Sequence, residues 1–443
     1  MNNVLKDKQV GFISLGCDKN RVDTEKFMSV LSEAGCVITN ALDCAQIVVV
    51  NTCAFLQSAR KEAIETILEV ASYKSQSLEK LVVTGCLPEK FIDELYEALP
   101  EVDVFGGYRD YNVLVQEIAS SYEKGRVNAV GKGKAETETQ GRIVTTPLHY
   151  AYLKIADGCN NHCTYCLIPK IRGKYRSFPK EDLLKEAQGL GDVAELILVA
   201  QDVTRYGQDL TDGEGLVDLI QSLSMLENVQ SIRLLYCYPD QISNELIAEI
   251  ASNPKVLKYI DIPLQHASAP VLKRMNRPGN ASEYLALFEK LRKAAPDIAI
   301  RTTFIAGFPG ETEEDVETLI AFLQQAKLHN VGFFAYSKEP DTAAARLPNQ
   351  IPAKEKRTRV KRLFAEQKKI ADELYSSYVG KTINVLVDGI DYDKGKFVGR
   401  ASFQAPDIDG VVYFSAEYAE QGTWISVRIK RYKNYDLYGV AED

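Results

Sequence analysis

The chain has 443 residues, of which 45% are hydrophobic and 26% are charged, and its formal net charge is −8. This composition is that of an ordinary globular protein with enough sequence for more than one hydrophobic core. The net negative charge gives no support to a general nucleic-acid-binding protein. No apolar run approaches the roughly 20 residues of a membrane span, so we expect a cytoplasmic protein.

Residues 1–140 alternate between strand and helix patterns. Apolar strands are predicted at "VGFISLGC" (10–17), "IVVVNTC" (47–53) and "KLVVTGC" (80–86), and helices are predicted at 23–35 and 58–73. Strands that alternate with helices favour a parallel sheet. We therefore expect an N-terminal parallel α/β domain over residues 1–140.

Each of these three predicted strands ends in a cysteine, namely Cys17, Cys53 and Cys86. The carboxyl ends of parallel strands lie on one edge of the sheet, so the three thiols meet there if the strands are neighbours. The alternative is three unrelated buried cysteines, which is a common fate of free thiols. The repeated position at the strand ends favours a site with three cysteine ligands.

A polar, glycine-rich stretch at 131–142 is predicted to be a linker. Strand patterns separated by helical stretches follow it, at 149–156, 195–202, 231–239, 259–265, 299–310 and 330–337. These units are fewer than the eight of a full (β/α) barrel. We expect a partial (β/α) barrel over residues 141–375.

The segment "DGCNNHCTYC" follows the first of these strands and carries Cys159, Cys163 and Cys166 as C-x3-C-x2-C. A closed zinc site needs four ligands, and His162, the one candidate in the loop, lies between two of the cysteines, where its reach is poor. Four cysteines usually hold an iron–sulfur cube, so three leave one iron with an open site for a small molecule.

Two other barrel segments end strands with residues suited to a ligand pocket. "IPLQHAS" (262–268) carries Gln265, and "FIAGFPGETEED" (304–315) carries Gly307 and Pro309. Ligands of parallel barrels bind at the carboxyl ends of the strands, and glycine lets the backbone approach them closely. Each segment alone is also compatible with an ordinary turn.

The C-terminal part begins with a long amphipathic helix predicted at 353–378. Short strand patterns broken by Gly and Asp follow it, which predicts a small antiparallel β-barrel over residues 376–443. The remaining cysteines, Cys36, Cys44 and Cys237, have no such neighbours in sequence and are interpreted as packing residues.

The three-cysteine loop with Tyr165, CxxxCxYC, resembles that of the radical S-adenosylmethionine (SAM) superfamily. The resemblance implies that Cys159, Cys163 and Cys166 hold a 4Fe–4S cluster whose open iron binds SAM. The reduced cluster then splits SAM to give a 5'-deoxyadenosyl radical, so the cofactor carries the radical chemistry. Tyr165, Gln265, Gly307 and Pro309 are the expected contacts to SAM.

Together with Cys17, Cys53 and Cys86, these features resemble the methylthiotransferase family, which joins a three-cysteine N-terminal domain, a radical SAM partial barrel and a C-terminal TRAM domain. The resemblance covers nearly the whole chain. It implies a second, auxiliary 4Fe–4S cluster on these three cysteines, whose open iron holds the sulfur to be transferred. One SAM donates the methyl group and a second one generates the radical that activates a C–H bond.

Four stretches are similar to the branch of the family that modifies an aspartate of a small-subunit ribosomal protein: residues 15–25, 200–210, 261–279 and 399–410. The implied reaction adds a methylthio group to the β-carbon of that aspartate, and the implied partners are the ribosomal protein or ribosome and a reductase as electron donor. Departures from the family pattern occur at Asp18, where Pro is commoner, at "RSFP" (176–179) and at "SKEPDTAAA" (337–345). None of them is a cluster ligand.

The alternative is the branch of the family that modifies an adenosine of tRNA. The net charge of the C-terminal domain helps to distinguish the two branches. Residues 381–443 carry eight Lys and Arg against ten Asp and Glu. A domain that grips tRNA is expected to be basic, whereas a slightly acidic one suits a basic ribosomal protein. The basic stretch "RIKRY" (428–432) favours tRNA, although an edge strand has the same pattern. A non-enzymatic iron–sulfur or zinc protein is the third hypothesis.

Overall fold

The computed structural model describes residues 4–108, 110–133, 141–211 and 213–442. The chain divides into two compact units. The first comprises Met1–Thr145, Tyr152–Asn161 and Cys166–Gly189, and the second comprises Thr146–Ala151, His162–Tyr165 and Leu190–Asp443. Most of the predicted linker, residues 134–140, lies outside the described residues.

The first unit begins with a sheet of six parallel strands, in the order β2-β1-β3-β4-β5-β6. This arrangement confirms the predicted N-terminal parallel α/β domain. Its elements in chain order are β1 (Gln9–Ser14), α1 (Asp18–Glu33), β2 (Val37–Thr39), β3 (Ile47–Thr52), α2 (Gln57–Ala71), β4 (Lys80–Gly85), α3 (Cys86–Ala98), β5 (Val104–Gly106), α4 (Tyr111–Lys124) and β6 (Val127–Ala129).

Hydrophobic residues cover both faces of this sheet, as a parallel sheet requires. Every residue of β3 is buried, and alternate residues point to opposite faces. Val48 and Val50 belong to one hydrophobic cluster and Val49 to the other. Helix α1 starts at Asp18, five residues before the predicted start, because its first turn also contributes the buried Asn20 and Val22.

The rest of the first unit carries part of the three-cysteine loop. Strand β7 (Tyr150–Lys154) crosses from the second unit into the first, and it is followed by β8 (Ala156–Asp157), α5 (Ile168–Ile171), β9 (Arg176–Ser177) and α6 (Lys180–Gly189). Strands β8 and β9 pair in antiparallel fashion, Ala156 with Ser177 and Asp157 with Arg176. The pairing fixes the two ends of the segment that contains Cys159 and Cys166.

The second unit contains parallel strands connected by helices, and the sheet order is β14-β13-β12-β11-β10-β7. This open sheet of six strands confirms the predicted partial (β/α) barrel. Its elements are β10 (Glu195–Val199), α7 (Leu216–Ser224), β11 (Ile232–Leu234), α8 (Asn244–Ser252), β12 (Val256–Asp261), α9 (Ala269–Met275), α10 (Ala281–Ala294), β13 (Ala299–Ala306), α11 (Glu313–Ala326), β14 (Asn330–Ala335) and α12 (Ala353–Ser376).

The C-terminal strands close into a small barrel in the order β15-β16-β17-β19-β18. The barrel confirms the prediction, with one difference: β17 and β19 pair in parallel, because β18 lies between them in sequence and pairs on the other side of β19. The strands are β15 (Thr382–Asp391), β16 (Lys396–Ala401), β17 (Val412–Ser415), β18 (Trp424–Lys433) and β19 (Asp436–Ala441). No helix in the described part of the chain is long and apolar enough to cross a membrane.

Buried ion pairs join this C-terminal barrel to the parallel sheet of the second unit. Glu195, at the start of β10, pairs with both Arg233 of β11 and Arg400 of β16. Arg400 also pairs with Asp388 at 2.9 Å, and the Nε2 atom of His149 lies 2.8 Å from the same carboxylate. The side chains of Glu195 and Arg233 are 0% exposed, so each charge depends on its partners in place of water.

The stability of the second unit is expected to depend on the protonation of His329. Burial, with help from the charge of Arg292, lowers the pKa of His329 from 6.5 to about 4. As the pH falls, the unfolded chain therefore binds this proton first, and the stability present above pH 6.5 is lost between pH 6.5 and 4. The loss is about 3 kcal/mol for this group alone.

Denaturant unfolding at pH 7 and pH 4.5 checks this expectation, with His329→Phe as the comparison. The His329 ring stacks on Phe403 with centroids 6.0 Å apart, so a phenyl ring preserves the packing but cannot be protonated. The variant should lose less stability on acidification than the parent. Equal losses in the two proteins would contradict the assignment of the acid sensitivity to His329.

Candidate metal centre

The three predicted cysteines of the N-terminal domain lie at the carboxyl ends of neighbouring strands. Cys53 follows β3 directly and Cys86 follows β4 directly, while Cys17 precedes the first residue of α1, three residues after β1. Since β1, β3 and β4 are adjacent in the sheet, the cysteines share one edge. The register aligns the strand ends: Ser14 with Asn51, Asn51 with Thr84, and Thr52 with Gly85.

Two glycines allow the cysteine-bearing turns to come together. Gly16 has φ +97°, and a Cβ atom at this position would lie 2.8 Å from Cβ and 3.3 Å from Sγ of Cys53. Gly85 has φ +95°, and a Cβ there would lie 2.2 Å from Oδ1 of Asn51. Both positions combine a left-handed backbone with a contact that excludes a side chain. The turn that precedes Cys17 therefore passes directly against Cys53.

Burial and nearby positive charge act in opposite directions on the ionisation of these thiols. Cys17 is exposed, Cys53 is half-buried and Cys86 is buried. Burial raises the pKa of Cys86 to about 12, and the charge of Arg172 opposes this effect. Cys17 and Cys86 also lie at the N-termini of α1 and α3, where the helix dipole favours a thiolate. Bound metal supplies the positive charge that completes the ionisation.

The donor set fits an iron–sulfur cluster, since three free thiols share one sheet edge and thiolates are the usual ligands of such clusters. Among the described residues, no group of three or more His, Cys, Asp and Glu side chains is placed so that it could hold a metal ion. A cluster distributes its thiolates over different irons, so its ligands need not converge on one atom. The assignment of a cluster to Cys17, Cys53 and Cys86 stays a prediction.

Asn20, on the first turn of α1, connects the ends of the cysteine-bearing strands. Its Nδ2 atom donates to the carbonyl oxygens of Leu15 at 3.0 Å and Thr52 at 3.1 Å. Its Oδ1 atom accepts from Nη2 of Arg172 at 2.6 Å and from the thiol of Cys86 at 3.9 Å. The buried side-chain amide of Asn20 therefore contacts the backbone at the ends of β1 and β3, the thiol of Cys86 and the guanidinium of Arg172.

Arg172 continues this network toward the second cysteine loop. Its Nη1 atom lies 2.6 Å from Asp23 and 3.3 Å from Asp157, and its guanidinium lies 4.1 Å from the centre of the Tyr108 ring. Lys154 pairs with the same two carboxylates, at 2.5 and 3.0 Å. Although burial alone would raise it, these two cations hold the pKa of Asp157 well below its usual range.

The turn that leads into Cys159 is fixed by backbone contacts in the first unit. Gly158 has φ +73°, and a Cβ there would lie 2.1 Å from the carbonyl oxygen of Lys174. The N–H of Gly158 donates to Asp157 at 2.8 Å, and the N–H of Cys159 donates to the carbonyl of Gly173 at 3.1 Å. Cys166, also in this unit, accepts at Sγ from a backbone N–H at 3.4 Å.

The middle of the loop, His162–Tyr165, belongs to the second unit and has its own contacts there. The thiol of Cys163 lies 3.8 Å from the hydroxyl of Tyr238 and 3.7 Å from Nη1 of Arg277. Arg277 stacks on the Tyr238 ring at 4.1 Å and donates to the carbonyl of Pro263 at 2.7 Å. Burial raises the pKa of Tyr238, so its hydroxyl keeps its proton.

The residues predicted to contact SAM all lie in the second unit, at the carboxyl ends of its strands or in the cysteine loop. The Tyr165 ring meets Phe308 edge to face at 6.4 Å. Gln265, with φ +71°, continues the pairing beyond β12: its N–H donates to Thr303 at 2.8 Å and its carbonyl accepts from Ile305 at 2.8 Å.

Gly307 and Pro309 form the turn after β13. The N–H of Gly307, with φ +75°, donates to both carboxylate oxygens of Glu311 at 2.9 Å. A Cβ on Gly307 would lie 2.4 Å from Cγ of Lys356. The absence of a side chain at Gly307 therefore allows α12 to pack closely against this turn. The contacts of Gly307 and Pro309 with SAM stay a prediction.

The sequence does not single out Asn20, Tyr238 or Arg277. Asn20 lies in the stretch 15–25, which is recognised for its family resemblance. The segment "IRGKYRS" (171–177) indicates three cations after the cysteine loop, Arg172 among them, but only as contacts to SAM or the substrate, with a solvated loop as the alternative. Of the three cysteines interpreted as packing residues, Cys36 and Cys237 are buried as expected. Cys44 is exposed, because it lies in the turn that precedes β3.

Three parts of the chain match known families. Residues 9–107 match an uncharacterized protein family, UPF0004, residues 153–323 match the radical SAM superfamily, and residues 379–441 match the TRAM domain. Similar curated proteins include the ribosomal protein uS12 methylthiotransferase RimO of Clostridium botulinum (strain Eklund 17B / Type B), which is 45% identical over 98% of both chains. The protein of that name from Clostridium tetani is 43% identical, again over 98% of both chains.

Among solved structures, the cobalamin-dependent S-adenosylmethionine radical enzyme OxsB with aqua-cobalamin and S-adenosylmethionine bound is similar with a TM-score of 0.51 at 13% identity. The similarity covers 83% of this chain and 56% of that chain. At this identity, the likeness shows a shared fold.

Proposed function

Since this chain belongs to the family of the ribosomal protein uS12 methylthiotransferase RimO, we propose that its six strand-end and loop cysteines hold the cofactors of that reaction. The protein is a radical SAM methylthiotransferase that modifies ribosomal protein uS12. Membership of the superfamily implies SAM and an iron–sulfur cluster. We further propose that the methylthio group goes to the β-carbon of a uS12 aspartate.

The two cysteine sets have different proposed roles. Cys159, Cys163 and Cys166 hold the 4Fe–4S cluster that binds SAM, and Cys17, Cys53 and Cys86 hold an auxiliary 4Fe–4S cluster. The location of the second set at one sheet edge, the glycine-only turns beside it and the two helix N-termini support this assignment. When bound, the clusters and SAM supply the radical, the methyl group and the sulfur.

The chain's own residues orient and shield these groups. Tyr165 in the cysteine loop, together with Gln265, Gly307 and Pro309 at strand ends where barrel ligands bind, forms part of the proposed SAM pocket. Within the second unit, Arg277, held by its stacking on Tyr238, contacts the thiol of Cys163.

The proposed domains are an N-terminal methylthiotransferase domain (1–140), a radical SAM partial barrel (141–375) and a TRAM-like barrel that recognises the substrate (376–443). Each of the three family matches falls inside one of these ranges, which supports the division. A reductase is the proposed electron donor, and the cytoplasm is the proposed location, because ribosomes are the proposed site of the reaction.

The observation that carries the function is identity of 45% with a uS12 methylthiotransferase over 98% of each chain. Mass spectrometry of ribosomal proteins from cells with and without this gene tests it. The methylthio mass on uS12 should disappear with the gene and return with the parent sequence. It should not return with Cys17→Ala, whereas Cys44→Ala, which changes an exposed cysteine outside both sets, should restore it.

tRNA nucleosides from the same cells separate the two branches of the family. Their methylthio content should not depend on the gene. A fall in tRNA methylthio content on deletion of the gene, with the methylthiolation of uS12 unaffected, would show that the ribosomal substrate is wrong. The basic stretch 428–432 would then indicate a tRNA-binding surface.

A further inference from the structure

Arg172 is a buried cation of the first unit, between the edge that carries Cys17, Cys53 and Cys86 and the segment that leads into Cys159, and only 7% of its surface is exposed. It contacts Asn20 at 2.6 Å on one side and Asp157 at 3.3 Å on the other. Asn20 in turn contacts Cys86, and Asp157 holds the N–H of Gly158, the residue before Cys159. A side chain that only stabilised the fold would not need to reach both sets.

Two buried cations occupy this network, but only one of them reaches the cysteine edge. Lys154 and Arg172 share the carboxylates of Asp23 and Asp157. Arg172 also donates to Oδ1 of Asn20, the atom to which the Cys86 thiol donates. Among the described residues, Lys154 makes no hydrogen bond to either Asn20 or Cys86. Lys154 therefore provides a matched comparison, with similar burial and the same two carboxylates but no hydrogen bond to Asn20 or Cys86.

We propose that Arg172 is a positioning residue for the auxiliary cluster: it fixes Asn20, whose Nδ2 atom holds the backbone before Cys17 and Cys53, and its charge offsets the negative charge of the thiolates at that edge. The proposal rests on the proposed assignment of Cys17, Cys53 and Cys86. It adds a residue that lies more than eighty positions away in sequence from Cys86 and outside the cysteine motifs.

The physical argument has two parts. Groups that orient the ligands of a metal site change its affinity for metal by about 10- to 100-fold when they are removed. A buried positive charge beside a cluster favours the more negative, reduced state, because Coulomb interactions are weakly screened in the interior. Loss of the guanidinium should therefore weaken the retention of iron and lower the reduction potential of the auxiliary cluster.

The experiment uses the full-length chain with Cys159, Cys163 and Cys166 replaced by Ala, so that only the auxiliary cluster can form. After anaerobic reconstitution, the reduction potential is measured by titration followed by electron paramagnetic resonance, and the release of iron to a chelator is timed. Arg172→Gln should lower the potential and accelerate iron release by about ten-fold or more. Lys154→Gln should change the potential and the rate of iron release much less, because Lys154 makes no bond to Asn20 or Cys86.

Arg172→Lys separates charge from geometry and keeps the test valid if the Gln variant does not fold. Lys carries the charge but lacks the planar fork that reaches both Asn20 and Asp23. Its potential should remain near the parent value while iron release is faster. Equal effects of Arg172→Gln and Lys154→Gln, or no change in potential or iron release in either Arg172 variant, would overturn the proposal. A parent chain that binds no iron would instead contradict the cluster assignment on Cys17, Cys53 and Cys86.

Discussion

Replacement of Cys163 by alanine is expected to abolish both SAM cleavage and uS12 methylthiolation, each by about a thousand-fold or more. The proposed SAM-binding cluster has three protein ligands, and two thiolates do not hold it. The chain should then contain about half the iron of the parent, because the auxiliary set is unchanged. Release of 5'-deoxyadenosine from SAM after anaerobic reduction measures the first activity, and mass spectrometry of uS12 measures the second.

Cys17→Ala should separate these two activities. It removes a ligand of the auxiliary set but leaves Cys159, Cys163 and Cys166 intact, so SAM cleavage should persist while methylthiolation is lost. Cys44→Ala, an exposed position in the same unit as Cys17, should retain both. If Cys163→Ala still cleaved SAM, or if Cys17→Ala lost the cleavage entirely, the division of roles between the two sets would be wrong.

Glu195→Ala is expected to destabilise the second unit by about 3–5 kcal/mol. The substitution leaves Arg233 and Arg400 buried without their shared carboxylate, and the exposed fractions of their side chains are only 0% and 3%. Trp424, the only tryptophan of the chain, lies in β18 of the C-terminal barrel and reports on its unfolding by fluorescence. Denaturant titration of the parent and the variant gives the difference in the free energy of unfolding.

A comparison with a surface ion pair makes the result specific. Arg362→Ala breaks ion pairs of α12 with Glu313 and Glu317, but these side chains are 38%, 62% and 58% exposed, so the loss should be below about 1 kcal/mol. Equal losses for Glu195→Ala and Arg362→Ala would show that the buried network does not hold the barrel to the sheet.

The fold and both cysteine sets could be predicted because the patterns that indicate them lie within short segments of the sequence. Alternating strand and helix patterns indicate a parallel sheet, and the sheet brings strand ends together, so a cysteine at each end marks an edge. The spacing C-x3-C-x2-C is likewise contained in eight residues. The same kind of local pattern predicted the partial barrel and the small C-terminal barrel, but it carried no information on the parallel pairing of β17 with β19.

Asn20 and Arg172 could not be predicted in the same way. Their contact joins residues 152 positions apart, and neither residue type is unusual where it stands. Glu195 and Arg400 are 205 positions apart, and Glu195 opens a strand, "ELILV", whose other residues are all apolar. A single charged residue produces no periodic pattern in the sequence. Its role as a buried ion-pair partner can therefore be recognised only when the folded structure shows which residue it contacts.

Strands β1, β3 and β4 are adjacent, and their spacing determines the size of the metal group that the three cysteines at their ends can bind together. Neighbouring strands lie about 4.8 Å apart, so β1 and β4 are separated by about 10 Å across β3. A lone Zn²⁺ ion binds sulfur at about 2.3 Å and therefore draws its thiolates to within about 4.6 Å of one another. An inorganic cube extends over several atoms and spans such a gap with less displacement of the backbone. For the proposed cluster on Cys17, Cys53 and Cys86, the lateral spacing of the β-sheet therefore favours a cube over a single ion, before the chemistry of any donor atom is considered.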